Sequence, residues 1–120
     1  MPDMIEFQAG VGDWCVDCFG ATTAEDVVER NWRFLEEALE LVQSLGGDAD
    51  AAHQLVDYVF GREQGEPHQE VGGVMVTLAA LTFANKLSMG QAAHDELSRI
   101  TRPEIMQEIR GKHVPKPHRS

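Results

Sequence analysis

The sequence predicts an all-α protein, a bundle of four to five helices that forms one domain. Apolar residues recur at the spacing of a helix in several stretches, and glycine-containing breaks separate those stretches. Thr, Asp and Ser residues, which cap helices, stand where the stretches begin. A chain of 120 residues is long enough to bury one core but not two. We therefore assign residues 1–110 to a single helical domain and residues 111–120 to a basic, proline-interrupted tail that we expect to be mobile.

The first predicted helix runs from about residue 4 to residue 19 and ends near Gly20. Its apolar face contains the two cysteines, Cys15 and Cys18, in a C-x-x-C pattern. A structural zinc site needs a second pair of ligands, and a thioredoxin-like redox site needs a preceding strand. Neither accompanies this motif, so we interpret both cysteines as packing residues in a reducing compartment.

A long second helix is predicted from a cap at Thr22 or Thr23 to about Leu45, where Gly46-Gly47 ends it. The remaining predicted helices, in chain order, are residues 51–60 after a cap at Asp48 or Asp50, residues 68–87, residues 91–100, and a last turn or two over residues 104–110.

The helix predicted over residues 68–87 is the most apolar segment of the chain. Its β-branched start leaves a strand as an alternative, but its length favours a helix. Its apolar run from residue 71 to residue 84 is shorter than the roughly 20 residues that cross a bilayer, so we expect no membrane partner. The side chains expected to be buried are Val71, Val74, Met75, Leu78, Leu81 and Ala84.

The charge of the chain limits its partners. A formal net charge of −10 without a basic stripe argues against nucleic acid as the main partner. An acidic protein can still bind phosphates when metal ions bring positive charge to the site. The chain does not open with a basic region followed by an apolar run, so we expect no signal peptide and a cytoplasmic location.

Four glutamates stand out by their positions in the two longest predicted helices. Glu36, Glu37 and Glu40 project from neighbouring positions of the second helix. Glu70 opens the apolar helix. Two acids roughly 4 Å apart at the edge of a buried layer repel each other by about 4 kcal/mol at an effective dielectric near 20. A hard divalent cation with oxygen ligands relieves that repulsion, so the pattern indicates a magnesium-dependent enzyme.

The sequence around these glutamates resembles a known family. The pattern E-E-x-x-E at residues 36–40, followed about thirty residues later by Glu70, is similar to that of the MazG-like nucleoside triphosphate pyrophosphohydrolases of the all-α NTP pyrophosphatase superfamily. The wider stretches RFLEEALEL at 33–41 and GEPHQEVGGVMVTLAAL at 65–81 look like a branch found in bacteria and phages. The resemblance covers about residues 29–116.

The resemblance implies metal-dependent hydrolysis of a (deoxy)nucleoside triphosphate to the monophosphate and pyrophosphate, in the control of nucleotide pools. It also implies a homodimer or homotetramer in which helices from two chains complete each active site. The implied metal ligands are Glu37, Glu40 and Glu70, for Mg²⁺ with Mn²⁺ as an alternative. The family's second motif is E-x-x-D, whereas here Gly73 occupies the fourth position and supplies no carboxylate.

Further residues receive roles in triphosphate cleavage, which needs neutralised phosphates and an activated water placed close together. Glu36 is the expected general base that orients the water. Asn85 and Lys86 match family positions that contact the base or the phosphates. Arg33, with Lys86 and Arg30, is expected to neutralise the outer phosphates.

Each of these residues also has a plainer interpretation, and the alternatives stay open. They are a solvated helix face for Glu36 and Glu37, a first-turn acid favoured by the helix dipole for Glu70, a helix end for Asn85, and intrahelical pairing of Arg30 and Arg33 with Asp26, Glu29 and Glu37.

The rival function is a catalytically silent helical module that binds a nucleotide or a protein, and Gly73 is its main support. A regulatory nucleotide with a 3′-pyrophosphate stays open as the substrate.

Overall fold

The computed structural model of the protein describes residues 3–113, and all regular structure within that range is α-helical. The helices in chain order are α1 (Met4–Phe19), α2 (Ala21–Ala24), α3 (Val27–Ser44), α4 (Ala49–Phe60), α5 (Pro67–Ala84), α6 (Met89–Ile100) and α7 (Pro103–Lys112). The all-α prediction is confirmed. The described residues form seven helices, more than the four to five expected, because the one-turn α2 and the short α7 are helices of their own.

The second predicted helix is two helices in the structure, so its predicted start at Thr22 or Thr23 is wrong. Both threonines lie inside α2, and no side chain caps that helix. Asp26 has extended backbone, with φ −75° and ψ 98°, and its Oδ1 accepts a hydrogen bond from Glu29 N at 3.1 Å. Aspartate is a stronger helix cap than threonine, which explains why α3 begins only at Val27.

Other helix boundaries differ slightly from the prediction. Asn85 is the C-cap of α5, which therefore ends three residues before its expected end near residue 87. Ser88 Oγ accepts a hydrogen bond from Gln91 N at 3.1 Å and starts α6 two residues early. Helix α7 extends to Lys112, two residues into the segment assigned to the tail. His113 is the C-cap of α7, and residues 114–120 lie outside the described residues.

The end of α1 is held against the C-terminal helices. Trp14 Nε1 donates a hydrogen bond to the Ile100 carbonyl at 2.7 Å. Arg110 of α7 donates to the carbonyls of Asp17 and Cys18, each at 2.8 Å. These bonds satisfy carbonyl groups that the last turn of a helix leaves without intrahelical partners. They fix α1, α6 and α7 relative to one another.

The two cysteines lie where packing residues are expected. Both are free thiols; Cys15 is half-buried, and Cys18 is only 4% exposed. Burial raises the pKa of the Cys18 thiol, and the nearby Arg110 partly opposes that rise. A thiol with a raised pKa is a poor nucleophile and a poor metal ligand, which agrees with the packing interpretation.

Helix α5 is apolar on all sides, yet much of it is uncovered. Its half-buried side chains are Met75, Leu78 and Leu81, and its exposed ones include Val71, Val74, Val76, Phe83 and Ala84. The prediction that Val71, Val74 and Ala84 are buried is therefore wrong for the isolated chain. The physical reason is that α6 is the helix in close contact with α5 among the described residues.

The single chain is open. Its radius of gyration is 15.7 Å, against about 14 Å for a compact domain of this length. Within residues 3–113, Cys18 is the only apolar residue that is buried, and it is 4% exposed. No single helix in that range is long and apolar enough to span a membrane; α5 and α6 meet the length and composition criteria only as a pair, across a bend of 102°.

Candidate functional site

Helix α3 carries the candidate site along one side. Residues 29, 33, 36 and 40 recur at steps of four, three and four, which places them along one stripe of a helix. Asp26 fixes the start of that stripe by capping the helix. The sequence therefore sets the register of the acids directly, without help from another element.

Glu37 and Glu40 lie one turn apart, within hydrogen-bonding reach of each other. The pKa of Glu37 is raised, first by partial burial, then by the negative charges of Glu40, Glu96 and Glu36. This carboxyl therefore holds its proton more tightly than an isolated glutamate does. The expected crowding of acids on this helix is present, and a positive charge placed beside Glu37 would relieve it.

Glu96 joins the site from α6, which the sequence did not predict. Its carboxylate accepts hydrogen bonds from Arg99 Nε at 2.9 Å and Arg99 Nη2 at 2.8 Å. The hydrogen bonds from Arg99 lower the pKa of Glu96, so this acid is ionised and adds negative charge next to Glu37. In the sequence, a glutamate three residues before an arginine indicates only a surface ion pair. Its approach to α3 depends on how α6 packs.

Arg33 lies between two acids of α3. Its Nε donates to Glu29 Oε1 at 2.8 Å, and its Nη1 lies 3.3 Å from Glu36 Oε1. The intrahelical alternative for Arg33 is therefore confirmed for Glu29, and Arg33 also contacts Glu36, which was not among the acids considered. Glu36 is half-buried, and the Arg33 guanidinium group orients its carboxylate. The expected general base therefore has an oriented carboxylate and is the chain neighbour of Glu37.

Glu70 occupies the first turn of α5 and is exposed. Its carboxylate folds back over Gly65, where any side chain would collide with it. Among residues 3–113, no three His, Cys, Asp or Glu side chains are grouped closely enough to hold a metal ion. One chain therefore does not bring Glu70 together with Glu37 and Glu40, in keeping with the lack of close contact between α3 and α5 in the described part of the chain.

Asn85 and Lys86 lie at the end of α5. Asn85 is exposed, and its Nδ2 donates to the Leu81 carbonyl at 2.9 Å, so Asn85 does end a helix, as the alternative proposed. Lys86 is exposed and has φ 58°, the left-handed conformation that favours glycine. A contact of either residue with substrate stays a prediction.

A groove of about 700 Å³ opens between α3 and α4 beside the acids. Its lining includes Trp32, Glu36, Leu39 and Glu40 of α3 and His53 and Val56 of α4. The indole N–H of Trp32 is buried and has no hydrogen-bond partner within the described part of the chain. The lining is largely apolar with a few polar side chains, which is the usual make-up of a small-molecule pocket.

The arrangement on α3 offers two carboxylates one turn apart, a third acid from α6 and an adjacent groove. Carboxylate oxygens are the donors that Mg²⁺ and Mn²⁺ take in proteins. The chain matches no protein-family model, no curated protein and no solved structure, so the chemistry of the site rests on these residues.

Proposed function

We propose that the protein hydrolyses (deoxy)nucleoside triphosphates to the monophosphate and pyrophosphate, with a divalent cation held by Glu37, Glu40 and Glu70. The observation that carries this proposal is the crowding of Glu37 by other acids, which raises its pKa. A cluster of acids that crowds negative charge around one carboxyl gains most from a bound cation. The resemblance of the E-E-x-x-E segment to the MazG-like enzymes supplies the reaction.

The donor set fits the cation in part. Glu37 and Glu40 supply hard oxygen ligands from one face of α3, and Mg²⁺ keeps several waters and takes phosphate oxygens as further ligands. Bound there, the ion would neutralise phosphate charge and acidify a coordinated water. Because Gly73 has no carboxylate, Glu70 is the one acid we assign from α5.

The other site residues have roles that follow from their positions. A Glu36 carboxylate oxygen would accept the proton of the water that attacks the α-phosphorus, and Arg33 would keep that carboxylate oriented. Lys86 and Asn85 would contact phosphate or base from the exposed end of α5. The groove beside Trp32 would receive the base.

We further propose that the site is completed by a second copy of the chain, in a homodimer or homotetramer. A helix that is apolar on all sides has to be covered on all sides, and one chain covers α5 only in part. Val76 is 70% exposed and Phe83 85% exposed. Apolar surface of this kind marks an interface, and Glu70 lies on the same helix. A partner's α5 would then bring its own Glu70 to Glu37 and Glu40.

The activity is tested by incubating the purified protein with each ribo- and deoxynucleoside triphosphate and Mg²⁺, and separating the products by ion-exchange chromatography. We expect the monophosphate and pyrophosphate. Glu37→Gln and Glu40→Gln should each remove turnover, whereas Glu104→Gln, the same change on α7, should retain it. No turnover with any nucleotide, or full turnover in both α3 variants, rejects the proposal.

The oligomer is tested by size-exclusion chromatography with light scattering. The wild-type protein should elute with the mass of a dimer or tetramer, and Phe83→Glu should shift it toward the monomer, because burying an unpaired carboxylate is costly. Ile5→Glu is the matched control, since Ile5 is 81% exposed on α1. A monomeric wild-type protein would contradict this part of the proposal.

The rival function is a silent nucleotide-binding module, which Gly73 and the lack of a three-acid group within residues 3–113 both favour. Isothermal titration calorimetry with Mg²⁺ and a triphosphate separates the two functions. Heat of binding without product formation would favour the module, and formation of pyrophosphate would reject it. Adding a nucleotide that carries a 3′-pyrophosphate to the product assay tests the third possibility in the same way.

A further inference from the structure

Glu29 is the most deeply buried charged residue that the structure describes. It is only 2% exposed, and within residues 3–113 no other polar or charged side chain is buried to a similar degree. Glu29 lies outside the E-E-x-x-E segment, and none of the roles described above is assigned to it. An ionised carboxylate loses much solvation when it is buried. The burial of Glu29 therefore requires groups that compensate its charge, and it needs an explanation.

The compensating groups come from two helices. Arg33 Nε lies 2.8 Å from Glu29 Oε1, and Arg30 Nη2 lies 3.8 Å from the same atom. His113, at the C-terminal end of α7, places its Nε2 3.3 Å from that oxygen. The His113 ring also packs against Phe19 of α1, with ring centroids 4.8 Å apart. Glu29 therefore lies where α1, α3 and α7 meet.

The contact with Arg33 continues toward the acid site. The guanidinium group of Arg33 is planar, and its nitrogens have fixed directions. With Nε held by Glu29 at 2.8 Å, Nη1 points to Glu36 Oε1 at 3.3 Å. Glu29, Arg33 and Glu36 thus form a line of three side chains on one stripe of α3. Its buried end is anchored, and its other end is next to Glu37.

We propose that Glu29 is a positioning residue for the proposed reaction, acting through Arg33 to hold the Glu36 carboxylate in place. This inference rests on the proposed function. Ordering Glu36 in advance removes an orientational cost from the chemical step and does not change how nucleotide or metal is bound. The effect of Glu29 is therefore expected in kcat and not in KM.

The test compares three variants with the wild-type protein at saturating Mg²⁺ over a range of nucleotide concentrations, so that kcat and KM are both measured. Glu29→Gln keeps the shape of the side chain and removes its charge, and Arg33→Lys keeps a charge but loses the planar group whose fixed nitrogens reach both acids. Each should lower kcat between about 10-fold and 100-fold with KM within about twofold. The double variant should be no slower than the worse single variant, because both changes break the same line of contacts.

A purely structural role for Glu29 predicts a different result. Trp14→Phe is the control, since it removes the hydrogen bond to the Ile100 carbonyl and loosens the same junction of α1 with the C-terminal helices. It should lower the melting temperature and leave kcat unchanged. If Glu29→Gln does not fold, Arg33→Lys, at a half-buried position, tests the same proposal independently.

The outcomes separate the two proposals. A wild-type protein without turnover overturns the proposed function and this inference with it. Turnover in the wild-type protein combined with unchanged kcat in Glu29→Gln and Arg33→Lys overturns only the positioning role. Additive losses in the double variant, or losses confined to KM, overturn it as well.

Discussion

Replacing Glu37 with glutamine should stabilise the metal-free protein. The pKa of Glu37 is raised from its ordinary value of 4.5 by burial and by its neighbours Glu40, Glu96 and Glu36. A carboxyl whose pKa is higher in the folded state contributes stability below its unfolded pKa, and that contribution is lost as pH rises through the folded pKa. At pH 7.5 the ionised Glu37 therefore opposes folding, and an uncharged glutamine removes the opposition.

The magnitude follows from the number of facing acids and from solvent screening. A like-charge pair one turn apart on a helix destabilises it by about 0.2–0.5 kcal/mol. The charges of three acids act on Glu37, and Glu40 is the one that lies a turn away; because the Glu37 side chain is exposed, screening holds the total to at most about 1 kcal/mol. For a domain of this size, that corresponds to a rise in melting temperature of up to about 4 °C.

The assay is thermal unfolding followed by circular dichroism at pH 7.5 in buffer treated with a chelator. High salt should shrink the gain, because it screens exposed charges. Added Mn²⁺ should reverse the order of stability: a site filled at ten times its Kd stabilises the wild-type protein by about 1.4 kcal/mol, and Glu37→Gln should lose most of that gain. The control is Glu104→Gln, whose carboxylate lies 3.7 Å from Arg102 and is not crowded by acids of α3.

Two results would refute this reasoning. A lower melting temperature for Glu37→Gln in metal-free buffer would show that the carboxylate makes a favourable contact, not a repulsive one. Equal responses of the wild-type protein and the variant to Mn²⁺ would show that any bound ion lies elsewhere. Glu104→Gln should show neither the gain in stability nor the loss of the response to Mn²⁺.

The remaining predictions concern local structure, and urea unfolding monitored by circular dichroism measures each of them. Lys86→Gly should stabilise the protein by about 0.5–1 kcal/mol because φ 58° costs nothing for glycine; a loss of stability would contradict this. Gly46→Ala should destabilise it by about 1 kcal/mol because φ at Gly46 is 92°, and an unchanged midpoint would count against the argument. Asp26→Ala should cost about 1 kcal/mol by removing the cap of α3, whereas Asp26→Asn should cost much less.

Much of the fold could be predicted from local sequence. The predicted boundaries of α1 are those of the structure, and Asp48 caps α4 as one of the two residues proposed. These features depend on neighbours in the chain, which the sequence shows directly. The start of α3 was missed because three capping residues, Thr22, Thr23 and Asp26, compete within five positions, and only the strength of the aspartate cap decides between them.

Less of the candidate site could be predicted. The proximity of Glu37 and Glu40 follows from helical spacing alone, and it is present. The approach of Glu96 depends on the packing of α6, and the burial of Glu29 depends on α1 and α7, so neither has a local signal. The exposure of α5 has another cause. Its pattern predicts burial, but nothing in the pattern says whether the same chain or a partner would cover it.

The most direct measurement of the central claim mixes two inactive variants. The claim is that Glu37 and Glu40 of one chain and Glu70 of another hold one divalent ion. Glu40→Gln and Glu70→Gln should each be inactive alone. After subunit exchange, an equimolar mixture of dimers should recover about a quarter of the wild-type rate, because half the dimers are hybrids and each hybrid has one intact site. No recovery once hybrids are shown to form, or a Glu70→Gln protein as active as the wild-type protein, would contradict the account.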